Sequence, residues 1–375
     1  MGFVDYLQDE LDDLREQGLL RESTGVATQG LDYSSNDYLR LAGGAVSRET
    51  PSIPTGAGAS RLIFGTHEQH LALESELALW VGADSALLFS SGYAANLGAL
   101  GALGRQGDIF LSDELNHASI IDGCRLSRAS VLTYRHCDLD DLAQKLKSAP
   151  PSRKLWVLTE SYFSMDGDGP DMAALRQLCA DADAGLYVDE AHALGVFGSA
   201  GGGLCAAAGF TPDVLVGTLG KAVGTHGAFV AGPTVLRNWL WNRARSFVFS
   251  TAPSPLLTAQ SRMAVAEVIG AVDKRSRLLS ACAAFEDALS GAGVELSTRR
   301  FGPIFPIRLG TNDAAQGLAE RLLSAGFRVQ AIRAPTVPTG TARVRITLSS
   351  NTTDAQRTEL VREIVAYQQT LPNGD

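Results

Sequence analysis

Apolar positions along this chain recur with two periods, and the alternation between them outlines a fold. Phe3, Leu7, Leu11, Leu14 and Leu19 fall at roughly helical spacing, so residues 3–20 predict an amphipathic helix ending near Gly18. Residues 31–41, L-D-Y-S-S-N-D-Y-L-R-L, predict a short strand or turn leading into the body. From Ala57 onward short apolar runs alternate with helical stretches. A helix is expected over 66–82, with Leu71, Leu73, Leu77 and Trp80 as core contacts. Strands are expected at Ser85–Phe89, Asp108–Leu111, Leu155–Thr159, Leu186–Val188, Val214–Val216 and Ala228–Ala231. Helices are expected from S-S-G-Y-A-A-N to Gly104, over Ser119–Leu126 and over Asp171–Ala182. Short apolar strands separated by helices imply an α/β fold with a mostly parallel sheet covered on both faces.

After S-T-A-P-S-P at 250–255 the texture changes. Residues 256–290 read as one long helical pattern. Strands at Ile304–Arg308 and Arg343–Leu348 then alternate with helices at 312–325 and 354–369. The expected organisation is an arm over 1–45, a large α/β domain over 46–255, and a linking helix with a smaller α+β domain over 256–375. No internal repeat or low-complexity segment interrupts it.

Composition narrows the class. The 375 residues are 45% hydrophobic and 19% charged, ample for a large core. The net charge of −9 argues against nucleic acid as a main partner. Five cysteines, Cys124, Cys137, Cys179, Cys205 and Cys282, form no C-x-x-C pair, which fits a reducing cytoplasm without disulfides or a zinc or other metal site. The acidic N-terminus lacks the basic start and apolar core of a secretion signal. No run of about 18 apolar residues occurs, so no membrane span is expected.

The candidate chemistry centres on V-L-V-G-T-L-G-K-A-V-G-T-H-G-A-F-V-A-G, residues 214–232. Of five lysines, only Lys221 sits among glycines and apolar residues; Lys145, Lys147, Lys154 and Lys274 have polar neighbours. Desolvation favours the neutral amine, which can attack a carbonyl. The local pattern alone suits equally a lysine that snorkels to solvent. Asp189 ends the strand in L-Y-V-D-E-A-H, where a parallel sheet places ligand contacts, though an Asp there also suits a helix N-cap. His192 follows three residues later, and an ordinary backbone-bonded histidine is its plain alternative. Gly92 opens a helix after a strand, where free N–H groups suit a phosphate, and Thr218 adds a hydroxyl near the lysine. Together, an anion cup, a strand-end carboxylate and a desolvated amine match what pyridoxal phosphate requires.

Several stretches then carry a resemblance: S-N-D-Y-L (35–39), G-A-G-A-S-R-L-I-F-G-T-H (56–67), S-S-G-Y-A-A-N (90–96), D-E-L-N-H-A-S-I-I-D-G (113–123), E-S-Y-F-S-M-D-G-D (160–168), V-D-E-A-H-A-L-G-V-F-G (188–198), T-L-G-K-A-V-G (218–224) and P-T-V-P-T-G-T-A-R-V-R-I-T-L (335–348). Over nearly its whole length the chain resembles the α-oxoamine synthases, which are fold-type I pyridoxal-phosphate transferases. That resemblance implies a large, mostly parallel, seven-stranded-type sheet domain with a smaller C-terminal domain. It implies that Lys221 takes the cofactor's aldehyde and Asp189 its pyridine nitrogen, while His117 stacks on the ring. His192 and Ser164 would contact the O3′ side, and Gly92, Tyr93 and Thr218 the phosphate. Thr251 would reach the phosphate of a neighbouring subunit, making a homodimer with the site at its interface. Asn36 and Arg345 would hold an amino-acid carboxylate, and Arg21 and Thr336 the acyl substrate.

The implied reaction is decarboxylative condensation of L-alanine with a pimeloyl thioester, carried on CoA or acyl carrier protein. Sister reactions of glycine or serine with another acyl-CoA, or a pyridoxal-phosphate scaffold without condensing activity, stay open. His226, Arg128 and the S-T-A-P-S-P stretch depart from the family pattern and bear on acyl preference.

Overall fold

A computed structural model describes residues 3–17, 20, 30–43, 53–296, 300–334 and 337–371. Its centre is a seven-stranded sheet of β1 (Ser85–Phe89), β2 (Ile109–Asp113), β3 (Ser130–Tyr134), β4 (Leu155–Glu160), β5 (Gly185–Asp189), β6 (Val214–Thr218) and β7 (Ala228–Gly232). The spatial order is β1-β7-β6-β5-β4-β2-β3. Only β7 runs antiparallel to its neighbours; the other pairings are parallel. Every residue of β2, β5, β6 and β7 is buried, as continuous apolar runs require in a sheet with both faces covered. On one face Phe89, Leu100, Phe110, Tyr187 and Leu240 pack together. On another, Leu111, Leu142, Val157, Leu175 and Leu186 do.

This arrangement brings the carboxyl ends of β1, β4, β5 and β6 to one edge. Gly92, Glu160, Asp189 and Thr218 therefore approach one another from four strands. The expected central strands appear where the hydrophobic pattern put them. Strand β3 and the Leu139–Ser148 helix after it carried no expectation. β3 lies at the sheet's edge with Val131 and Leu132 exposed, so its apolar signal is weak.

The expected long helix over 256–290 is two helices, Pro255–Gly270 and Val272–Gly291, broken at Ala271 (φ −77°, ψ 42°). The Arg275 guanidinium donates to the carbonyl of Ile269 at 3.0 Å and to that of Val268, capping the first helix at the break. Beyond lies an antiparallel sheet of β8 (Ile304–Gly310), β9 (Gln330–Ile332) and β10 (Ala342–Thr347), in the order β9-β10-β8. Leu31–Asp32 pairs with Phe327–Arg328, and the N–H groups of Thr347 and Ser350 donate to the carbonyls of Tyr33 and Tyr38, both at 2.8 Å. Residues 31–41 are thereby fastened to this sheet, and Tyr38 is carried into the core.

Just past β3, His136 bridges two elements. Its Nδ1 lies 2.9 Å from Asp113 and its Nε2 3.2 Å from Asp168. Burial opposes the charged ring, but the two carboxylates outweigh it and push the imidazole up to about 12. Cys137 stands beside Asp113 and His136, and both ring nitrogens of His136 are engaged by carboxylates. A folded value above the unfolded one, about 6.5, means this contribution is complete below pH 6.5 and wanes as pH rises toward 12. His136→Gln should therefore lower the urea midpoint at pH 6 and flatten the decline between pH 6.5 and 9. That decline should reach about 1.4 kcal/mol per pH unit from this group in the parent protein.

Candidate active site

Lys221 lies in the turn that joins β6 to β7. The turn is closed by the Thr225 N–H donating to Leu219 O and the Gly224 N–H to Lys221 O, both at 2.9 Å. Gly224 has φ +73°, and a Cβ there would meet the backbone of Ala42 at 2.6 Å, so only glycine allows this approach. Burial pulls the Lys221 amine well below an ordinary lysine, while the carboxylates of Asp189 and Glu160 restrain the fall. Glu160 moves the opposite way: burial and the neighbouring Asp189 charge raise it, against the pull of Lys221. One amine and two carboxyl groups thus share a dry space at the sheet's edge.

Asp189 is held from two sides. Asn96 Nδ2 donates to Oδ2 at 2.8 Å and the Ala191 N–H to Oδ1 at 2.9 Å. Asn96 is itself fixed, donating to Ser119 Oγ at 2.8 Å and accepting from Tyr187 OH at 2.6 Å. His117 caps the Ala118–Leu126 helix. Its N–H donates to Glu160 at 2.7 Å, and its Nδ1 lies 2.7 Å from Ser119 Oγ. Burial lowers its pKa, as does Lys221, against Asp189. His192 is fully enclosed; burial first, then the charges of Lys221 and Arg345, drive it far below an ordinary histidine, so it is neutral. Its Nδ1 pairs with Tyr38 OH at 2.7 Å.

Arg345 comes from β10, and only 5% of it is exposed. Its guanidinium donates to Ser164 O at 3.1 Å, Ser34 O at 3.2 Å and Asn36 Oδ1 at 3.3 Å, all neutral acceptors. Its Nε has no partner, and among the described residues no carboxylate pairs with it. Unlike Arg275, whose donors cap a helix, Arg345 keeps an unsatisfied nitrogen beside the site and could receive a carboxylate there.

The anion cup takes shape at the Gly92–Leu103 helix, capped by Ser91. A Cβ at Gly92 would lie 3.9 Å from Thr218 Cβ, which puts the helix start against the end of β6. The Gly220 N–H donates to Thr218 Oγ1 at 3.3 Å. An open helix start, a pinned carboxylate and a depressed amine at one edge fit pyridoxal phosphate.

The remaining expected residues divide. Tyr93 stands beside His117, ring centroids 6.4 Å apart, with its hydroxyl bonded to Asp122. Ser164 meets Arg345 through its carbonyl. Thr251 is exposed and bridges to Ser60, making none of the contacts above. His226 is exposed in the turn, and its carbonyl accepts from Ser261. Arg128 lines a separate cavity. Arg21 and Thr336 lie outside the described residues.

Asn96, Glu160 and Tyr38 belong to the site and were not singled out from the sequence. Each left a trace: an asparagine on a helix of small apolar residues, a second carboxylate at a strand end, and a tyrosine in S-N-D-Y-L. Asn96→Ala should strip Asp189 of a side-chain donor, a loss of about 1–3 kcal/mol. Spectroscopic titration should then show cofactor affinity reduced roughly ten- to hundredfold, and the urea midpoint of the apo form should fall as well, because the buried Tyr187 hydroxyl also loses its partner.

Residues 28–364 match the family model for class I and II aminotransferases. An 8-amino-7-oxononanoate synthase of Anaeromyxobacter sp. (strain K) is 43% identical, covering 100% of this chain and 98% of its own. Another, of Alkalilimnicola ehrlichii, is 44% identical over 88% of this chain and 86% of its own. A serine palmitoyltransferase solved with pyridoxal phosphate superposes with a TM-score of 0.88 at 27% identity, covering 97% of both chains. Fold, site and full-length likeness agree: the chain belongs to the class I and II aminotransferase family, within its α-oxoamine synthase branch.

Proposed function

We propose that the protein condenses L-alanine with a pimeloyl thioester, releasing CO₂ and the free thiol and forming 8-amino-7-oxononanoate, a step of biotin biosynthesis in the cytoplasm. The full-length likeness at 43% to synthases of that name supports the substrate pair over the serine reaction of the 27% relative. The geometry that carries the amino-acid half is Arg345, a buried guanidinium with no carboxylate partner among the described residues and with Asn36 alongside.

When bound, pyridoxal phosphate supplies the electron sink that lets a Cα–H bond ionise. The protein's residues do the rest. Arg345 and Asn36 grip the alanine carboxylate and so orient its Cα–H toward Lys221. Lys221, depressed by burial, takes that proton as an amine. Asp189, fixed by Asn96, keeps a proton on the pyridine nitrogen. His117, its backbone tied to Glu160, would hold the ring of the cofactor, and the neutral His192 with Ser164 would hold its O3′. The working unit is a homodimer in which Thr251 completes the neighbour's phosphate site, and Arg21 and Thr336 meet the acyl chain.

Purified enzyme offered alanine, glycine and serine against several acyl thioesters should release thiol fastest with alanine and a pimeloyl thioester. Mass spectrometry should find the nine-carbon amino ketone; preference for glycine or serine would refute the substrate assignment. Lys221→Ala should abolish turnover and the yellow colour of the bound cofactor. Arg345→Leu should cut kcat/KM for alanine roughly ten- to a hundredfold, the worth of a charged hydrogen bond. Arg345→Lys should recover little of it, because an ammonium cannot reproduce the fork.

A further inference from the structure

The stretch E-S-Y-F-S-M-D-G-D at 160–168 carries two aspartates, Asp166 and Asp168, that the chemistry above leaves unused. Residues 163–168 form a closed turn. The Phe163 N–H donates to Asp168 O at 2.8 Å and the Gly167 N–H to Phe163 O at 3.0 Å. The turn is pressed against β8: Gly167 has φ +65°, and a Cβ there would meet Ile304 O at 2.5 Å. Asp168 ties one end to His136 at 3.2 Å. Ser164, whose carbonyl receives Arg345, sits in the same turn.

Arg343 and Arg345 stand two positions apart on β10, so their side chains leave one face of the strand while Val344 and Ile346 enter the core. Both arginines are buried, and both lean on the turn. Arg345 donates to Ser164 O at 3.1 Å, and Arg343 pairs with the Asp166 carboxylate. Arg308, opposite Arg343 in the register of β8 and β10, reaches the same Asp166 oxygen at 3.0 Å. Two neighbouring buried guanidinium groups therefore differ in one respect. Asp166 neutralises Arg343, and among the described residues no carboxylate neutralises Arg345. An uncharged side chain at 166 would leave a second buried cation beside the first and free its fork to compete for Ser164 O.

We propose that Asp166 is a positioning residue for amino-acid binding. By occupying Arg343 it leaves Arg345 as the open guanidinium on that face, and by tying the turn to β10 it fixes the carbonyl on which Arg345 leans. Asp166 acts through Arg345 and Ser164, not on the substrate itself. The inference rests on Arg345 being the receptor of the alanine carboxylate, as proposed above.

Binding of L-alanine to the full-length holoenzyme without acyl thioester, followed through the cofactor's spectrum, tests it. Ethylamine, which is alanine without its carboxylate, is titrated alongside. D166N should weaken alanine about tenfold while leaving ethylamine and the cofactor's own affinity within about twofold. A merely structural loss would move all three together. In an R345L background D166N should change alanine binding by less than about twofold, because the group it acts through is already gone. If D166N is too unstable to purify, R343Q unties the turn from the other side and should show the same selective loss of alanine. Alanine bound by D166N as tightly as by the parent would overturn the inference. So would an equal loss for ethylamine, or losses from D166N and R345L that multiply. Weakened alanine in R345L with none in D166N sinks the inference alone, whereas R345L without effect sinks both it and the assignment of Arg345.

Discussion

Everything at the active edge follows from taking an amine out of water beside a carboxylate that cannot move. Lys221 and Asp189 approach from adjacent strands, one in the turn after β6 and one at the tip of β5. In water their attraction would be worth little; away from solvent the Asp189 charge restrains the fall that burial imposes on the Lys221 amine. The sheet makes this possible. Parallel strands deliver their carboxyl ends to a single edge, and burial on both faces keeps solvent from screening what collects there.

A buried charge is costly unless each lone pair and proton is spoken for. That explains the ring of residues behind the obvious ones. Asn96 ties Asp189 to Ser119 and Tyr187, Glu160 ties the backbone of His117, and Tyr38 ties His192. Arg345 stands apart in keeping an unsatisfied nitrogen at the active edge. Its neighbours are carbonyls and an amide, and among the described residues no carboxylate meets its charge. Arg61 shows the contrasting, structural use of a buried guanidinium: it meets Glu74 at 2.8 and 3.2 Å, and Glu74 also accepts the Leu88 N–H.

The surface shows a related division of charge. An excess of acid keeps most of the molecule repulsive toward anions, while five arginines gather in one cavity on the edge away from the amine.

The hydrophobic pattern by itself determined much. Continuous apolar runs located the buried central strands, and the lone lysine among glycines together with the aspartate at a strand tip pointed to the cofactor. The family motifs added the expectations for His117, His192, Asn36 and Arg345, which the fold gathers near Lys221. Strand β3 escaped because edge strands bury only part of themselves, and the break at Ala271 escaped because Arg275 caps it from a turn away. The second ring escaped for a deeper reason. Asn96 and Asp189 are 93 positions apart, Tyr38 and His192 are 154 apart, and Arg345 lies 309 from Asn36. Local sequence encodes which groups are polar and which segments are buried. Which polar groups meet, and which buried charge is left without a partner, was decided only when the strands and the arm closed on one another, since hydrogen bonds and desolvation depend on distance in space.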